Sequence, residues 1–430
     1  MIKILTALHT LPEIKTYRTI FFEKIIPVLK EKFDVQVYWL VYTPEKLSNS
    51  IKEKNDRILD IHDFQNAVGV IEKVKPDIII SAPTLNLPDF ALTLAAKFYN
   101  IPTAGEVVTK LFVVENTKIT LFSFFKGFFS SSVPTDNNEK NKKFMRRGIF
   151  FIYKYYFLLK TQKIIKMKYS KILKDFFILI KAHLVFMKDI YNKRFSVDLH
   201  FVENYNLKKL LIQKGFKESS LAVTGNPMYD SMKYSVTTED SLKNHNKINV
   251  LLFTHAMYEH GIWTRVQRDT LVKDIVKEVN KHKNEMELVV KIHPSSEILS
   301  EYQKIIGPIS DTILIHKEGN ALEFIQKADV IIGFSTESAL IQALILKKPV
   351  IICNFYGLQG DLFLKHDLVF NCEKIENLIP SIKKSKQNNP ATKQKIEQFT
   401  IDYLYKLDGL ASKRICNAII GLLEGKIKNE

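Results

Sequence analysis

A chain of 430 residues exceeds one ordinary domain and implies two. With 46% hydrophobic and 25% charged residues it has the composition of a globular protein, which excludes a disordered or fibrous chain. The net charge of +17 is local: between residues 140 and 174 there are many Lys and Arg and no Asp or Glu. Cys353, Cys372 and Cys416 are scattered without CxxC spacing. That argues against a disulfide framework or zinc site and for a reducing cytoplasm. The opening MIKILTALHT lacks a basic n-region and a cleavage site, so no signal peptide is expected. No stretch reaches the ~18 uninterrupted apolar residues of a membrane span.

In chain order, Ile2–Leu8 reads as a strand, Thr19–Lys32 as a helix, Val35–Tyr42 as a strand and Phe64–Lys73 as a helix. Asp77–Ser81 is a buried strand and Asp89–Tyr99 a helix. Strands alternating with helices imply βαβ units and a parallel sheet. From about 110 to 191 strand punctuation disappears, and Phe, Tyr, Ile and Lys dominate. This is a helical basic and aromatic insertion, broken by a polar loop at Ser130–Asn141. Strand order resumes at Leu199–Val202, followed by helix Asn206–Lys214 and strand Leu221–Thr224.

The polar run Ser235–Asn246 reads as the linker. A second α/β series follows: strand Asn249–Thr254, helix Thr264–Lys281, strands Glu287–Ile292 and Thr312–Ile315, helix Ala321–Lys327, strand Asp329–Gly333, helix Glu337–Leu346 and strand Pro349–Asn354. Lys374–Lys395 reads as basic and loosely structured, and Gln398–Leu423 as terminal helices. The expected fold class is α/β with two Rossmann-like domains, 1–235 (insertion about 110–191) and 247–430.

In open parallel sheets, ligands bind beyond the carboxyl ends of the strands. ADVIIGFSTESALIQALILKKPVIICN at Ala328–Asn354 carries a strand into a helix there. Ser335 or Thr336 can cap that helix. Its free N–H groups and dipole suit a diphosphate. Ser335, Thr336 and Ser338 add hydroxyls, and Glu337 can accept from ribose or sugar hydroxyls. ELVVKIHPSS at Glu287–Ser296 ends a strand at Lys291, His293 and Pro294. Pro294 stops the ladder, and His293 can donate to or protonate a leaving phosphate. THAMYEHG at Thr254–Gly261 is the first βα loop of the second domain, with His255 lining the ligand side. His255, Glu259 and His260 have the residue types of a metal cluster. Gly225, Asn226 and Pro227 suit a tight turn, and Asp230 can cap the helix that follows. In the first domain His9, Glu13 and Glu106 fall just beyond strand ends, where a general base would sit.

KIHP at Lys291–Pro294 with FSTES at Phe334–Ser338 resembles the HP and Ser/Thr motifs of bacterial capsule-type GT-B glycosyltransferases. The resemblance covers roughly residues 220–355. It implies a GT-B fold, phosphate contacts at His293, Ser335 and Thr336, and no resident metal or cofactor, the nucleotide-sugar being substrate. The acceptor implied is a surface polysaccharide or lipid-linked glycan. ILTALHTLPEIK at Ile4–Lys15 is similar to the opening ILTVxGTRPEIIK of UDP-N-acetylglucosamine 2-epimerases, with Leu11 at the arginine position. VTGNPMYD at Val223–Asp230 and IPTAGEVV at Ile101–Val108 are similar to their VTGN and IPVxHxEAG segments. This implies a UDP-sugar 2-epimerase as the second function, and a non-catalytic membrane-attached assembly protein is the third.

Within the insertion, Phe150, Phe151, Tyr153, Tyr155, Tyr156 and Phe157 interleave with Lys and Arg. Such helices lie at membrane interfaces. The expected partner of about 140–187 is an anionic membrane surface, in preference to nucleic acid, with the protein cytoplasmic and peripheral on the inner face.

Overall fold

The computed structural model describes residues 1–14, 16–82, 86–108, 137–184, 191–232, 247–259, 262–294, 297–357, 361–387 and 389–425; for 52, 54, 137–149, 151 and 180–184 it describes the backbone alone. The linker expected at 235–246, and His260, lie outside the described residues. The chain forms two compact units. The first takes residues 1–110, 119–230 and 402–430, and the second takes 231–401.

The first unit holds a seven-stranded parallel sheet in the order β3-β2-β1-β4-β5-β6-β7. Its strands are β1 (Ile2–Leu8), β2 (Val35–Val41), β3 (Ile58–Asp60), β4 (Ile78–Ser81), β5 (Thr103–Val108), β6 (Leu199–Val202) and β7 (Leu221–Val223). Both faces are covered, so runs such as Ile78–Ser81 and Leu199–Val202 are buried at every position. Helix α1 (Tyr17–Lys30) starts in a capping box between Thr16 and Thr19. It buries Phe21, Phe22, Ile25 and Leu29 in one core with Ile415, Cys416 and Ile419.

Those last residues belong to the terminal helix Ala411–Leu423, which the sequence reading assigned to the second domain. The structure returns it to the first unit because its apolar stripe packs on α1 and Asp230 caps it. Asp230 Oδ1 accepts from Ala411 N at 2.9 Å, and Oδ2 accepts from Ser412 N at 2.8 Å. Each such aliphatic side chain contributes about 1.5–3 kcal/mol on burial.

The second unit holds a six-stranded parallel sheet in the order β10-β9-β8-β11-β12-β13, the 3-2-1-4-5-6 order of a dinucleotide-binding fold. Its strands are β8 (Ile248–Phe253), β9 (Met286–Lys291), β10 (Leu314–His316), β11 (Val330–Gly333), β12 (Val350–Cys353) and β13 (Phe370–Cys372). Strand order reverses between β8 and β11, which pair directly through Val330↔Val250 to Ile332↔Leu252. The stretch 374–395, expected to be loose, contains the helix Leu378–Gln387, with Leu378, Ile379 and Ile382 buried and its lysines outside.

The insertion contributes two helices, Asn137–Ile164 and Tyr169–Leu184. Residues 137–141, expected in a loop, are thus helical. Among the described residues no helix is long and apolar enough to cross a membrane.

Candidate functional site

The reversal point of the second sheet is where a ligand is expected, and three loops meet there. Beyond β8 the chain turns at His255 and Ala256, both in the left-handed region at φ 61° and 43°. Non-glycine residues rarely hold that conformation, so neighbours must fix it. The fixing group is Glu297, 1% exposed. Its carboxylate accepts from Thr254 Oγ1 and Tyr302 OH, from Ala256 N at 3.2 Å and from His293 N at 2.5 Å. One buried carboxylate thus ties the β8 loop to the β9 loop. Glu297 carries little signal in the sequence beyond being a carboxylate four residues after His293.

The turn brings His255 to the loop beyond β11. His255 Nδ1 bonds Glu337 Oε2, and His255 Nε2 lies 3.1 Å from Ser335 Oγ. Burial lowers the His255 pKa, but the Glu337 carboxylate outweighs it, and the net shift is upward. An imidazolium donates at both nitrogens. Ser335 Oγ then accepts, and its own hydrogen can be donated to a ligand. Among the described residues the buried Glu337 Oε1 has no hydrogen-bond partner, an acceptor that a ligand hydroxyl would satisfy. His293 faces the same groups: its pKa is lowered by burial and by His255 and Lys291, against a rise from Glu337.

Helix Ser338–Ile345 begins one residue later than the expected start at Glu337. Its N-cap is Glu337, with φ −146° and ψ 166°, and the Glu337 side chain makes no capping hydrogen bond. A helix N-terminus at a strand end is the geometry that binds anions. Close packing of β11 on this helix requires Gly333, where a Cβ would lie 2.5 Å from Leu340 Cδ1.

Two expected phosphate ligands are engaged elsewhere. Thr336 donates from N at 2.5 Å and from Oγ1 at 3.0 Å to Asp361 Oδ2. Lys291 Nζ donates to the Ile292 and Lys317 carbonyls at 3.0 and 2.7 Å, so its ammonium braces the β9–β10 rim. Pro294 is exposed after β9. Ser338 opens the helix. Of the residue types proposed for a metal, Glu259 bonds the buried Arg268 at 2.8 Å. Among the described residues no group of three His, Cys, Asp or Glu side chains could hold a metal ion.

Gly225 and Asn226 belong to the first unit. Gly225 has φ 74°, and a Cβ there would lie 3.4 Å from Arg414. Asn226 caps the turn at Met228 and donates to the buried Glu203 at 3.2 Å. The rim of the first sheet is organised by Arg18, 7% exposed, a residue the sequence reading passed over. Arg18 pairs with Asp89 at 3.0 Å, with Glu106, and with the Ala7 carbonyl. Burial raises Asp89 to about 6 even against Arg18. Glu106 is therefore an ion-pair partner, not an unencumbered base. His9 shares this field: burial and Arg18 hold its pKa below the ordinary value, so it is a neutral imidazole able to accept a proton. Glu13 is exposed and joins neither group.

Two parallel-sheet Rossmann-like units, the second with an anion-suited reversal point, define the GT-B class of nucleotide-sugar proteins. The sequence model of the UDP-N-acetylglucosamine 2-epimerase family matches residues 195–420, more than half of the chain. The chain belongs to this family, whose members are enzymes acting on UDP-sugars. Compared with curated proteins, the chain has no match. Among solved structures it is similar to the S. aureus MnaA–UDP co-structure, at 18% identity and TM-score 0.52, covering 99% of this chain and 97% of that one. It is also similar to the Neisseria meningitidis UDP-GlcNAc 2-epimerase bound to UDP-GlcNAc, at 15% identity and TM-score 0.51, covering 97% and 99%. At these identities the likeness establishes the fold alone.

Proposed function

We propose that this enzyme binds a UDP-sugar at the reversal point of its second unit and transfers the sugar to an acceptor hydroxyl on a glycan or lipid-linked saccharide. The observation that carries the binding reading is the orphaned Glu337 Oε1 beside the His255–Ser335 contact. A ribose or sugar hydroxyl donating to Glu337 fills a buried acceptor. The Ser335 hydrogen and the first turn of helix 338–345 suit a phosphate. A positive His255 offsets Glu337, which would otherwise repel it. On breaking the anomeric C1–O bond, the electron pair leaves with UDP, and these same groups stabilise the added charge. The acceptor oxygen forms the new bond to C1, and its proton passes to the departing UDP or to solvent.

The second reading, 2-epimerisation, is favoured by family membership. One observation weighs against it. In IPTAGEVV the glutamate of the epimerase-type segment IPVxHxEAG falls on Val107, which is 4% exposed in the first unit's core. Glu106 stands one residue earlier, where the register of β5 against β6 shifts between Ala104 and Val107. There it is bound to Arg18.

The test is product analysis of UDP-sugars incubated with and without saccharide acceptors. The transfer reading expects UDP release only with an acceptor. Formation of an N-acetylmannosamine product without acceptor would overturn it in favour of epimerisation, and absence of UDP binding would sink both.

A further inference from the structure

We propose that the helical hairpin formed by Asn137–Ile164 and Tyr169–Leu184 docks this protein on an anionic lipid bilayer. This inference is independent of the reaction catalysed. The hairpin is anchored to the first unit through one face. Phe157 and Leu158 are each 1% exposed and share a core cluster with Leu179 and with residues of β1, β2 and the helix Leu87–Phe98. Tyr153 OH donates to the Ile61 and Phe64 carbonyls at 2.9 and 3.2 Å, and Thr161 Oγ1 accepts from Ala67 N at 2.9 Å. Asp175, 1% exposed, is paired with Arg194 and accepts from Gln162 at 3.0 Å. Docked in this way, the helices hold their outer face at a fixed attitude.

That outer face is not the polar surface of an ordinary packed helix. Tyr169, Leu173 and Phe177 recur at four-residue spacing and are 79%, 57% and 60% exposed; Ile152 and Tyr156 on the longer helix are 67% and 50% exposed. Tyr169, Leu173 and Phe177 form an apolar stripe along the shorter helix, and Ile152 and Tyr156 an exposed apolar pair one turn apart on the longer. Interleaved with them are Lys163, Lys166, Lys168, Lys171 and Lys174, all exposed. Among the described residues none of these lysines forms an ion pair, and no Asp or Glu occurs between 140 and 174. Lys166, at φ 55°, closes the turn between the helices, so lysines gather at the hairpin tip.

A partner for this face must be anionic on its outside and apolar just beneath. A bilayer carrying acidic headgroups has that layering: lysines meet phosphates and carboxylates while Tyr, Leu and Phe sink to the acyl boundary. A nucleic acid meets the charge requirement alone. Aliphatic Ile152 and Leu173 have no place on it, and apart from the two tyrosines and Ser170 this stripe offers few hydrogen-bonding side chains to read bases.

The experiment is flotation of the full chain with phosphatidylcholine vesicles with and without phosphatidylserine, at low and high salt. Flotation is expected only with phosphatidylserine and is expected to fall at high salt. Each lysine removed should weaken partitioning about fivefold, so the Lys163→Gln/Lys171→Gln pair should weaken it on the order of 25-fold. Phe177→Ser should also weaken it. Because these side chains are exposed, the thermal melting of both variants should match the parent, which separates lost docking from lost fold. Failure to float with phosphatidylserine, equal flotation on neutral vesicles, unchanged flotation of the lysine variant, or preferential capture by single-stranded RNA would overturn the proposal.

Discussion

Replacing Glu297 by glutamine removes one charge and changes almost no volume. In the native site each carboxylate oxygen accepts two hydrogen bonds: Oε1 from Ala256 N and Tyr302 OH, Oε2 from Thr254 Oγ1 and His293 N. A glutamine amide has one oxygen to accept and one NH2 that only donates. Whichever way the amide turns, its NH2 meets one hydroxyl and one backbone N–H. The hydroxyl can rotate and accept; the N–H cannot. One buried backbone donor is orphaned, at a cost of about 1–3 kcal/mol, and the surviving bonds lose their charge assistance, about another 1 kcal/mol. The sum is about 3 kcal/mol, which for a unit of this size lowers the melting temperature by about 10 °C. Calorimetry of Glu297→Gln measures it, and titration with UDP measures whether the His255 and His293 loops have lost their alignment. Melting and UDP affinity both unchanged would refute the assignment of Glu297 as the brace between the loops.

Three further outcomes follow from the same geometry. His255 has its folded pKa raised above 6.5. Its contribution to stability and UDP affinity should therefore be complete below about pH 6.5 and lost as pH rises through the folded value; calorimetric titration with UDP across pH, compared with His255→Gln, measures this. Gly333→Ala places a Cβ 2.5 Å from Leu340 Cδ1 and should cost about 1–3 kcal/mol by overpacking, with partial relief from Leu340→Ala in a double-mutant cycle. Arg18→Leu leaves Asp89, 0% exposed, without its cation. Denaturant unfolding should show a loss of about 3–5 kcal/mol, partly restored by Asp89→Asn.

The strands of both sheets were legible because parallel sheets bury both faces, so VIIG at 330–333 and VIIC at 350–353 read as apolar runs. β3 (ILD) and β13 (FNC) each include a polar residue, so neither reads as an apolar run, unlike the equally short LAV of β7. Helix Leu378–Gln387 was hidden by its lysines, which mask an inward stripe of three apolar residues. The terminal helix shows a clear apolar face, but its destination is fixed by Asp230, 181 residues earlier, and spacing along the chain carries no information on such a contact. The site divides in the same way. His255, His293, Ser335 and Glu337 stand at strand ends and could be read from topology. Glu297, Asp361 and Arg18 act as buried braces, and their partners come from separate loops. The Thr336 pairing with Asp361 spans 25 residues, and the Arg18 pairing with Glu106 spans 88. Lys291, a strand-end cation, spends donors on the Ile292 and Lys317 carbonyls, which the sequence does not show.

The central claim is that the reversal point between β8 and β11 holds the nucleotide diphosphate. Calorimetric titration of UDP into the parent chain and into Ser335→Ala checks this, since that substitution removes one hydroxyl and little packing. Saturable UDP binding by the parent is expected, with a weakening of about tenfold in Ser335→Ala, the loss of one charge-assisted hydrogen bond. No binding by the parent, or equal affinity in the two proteins, would contradict it.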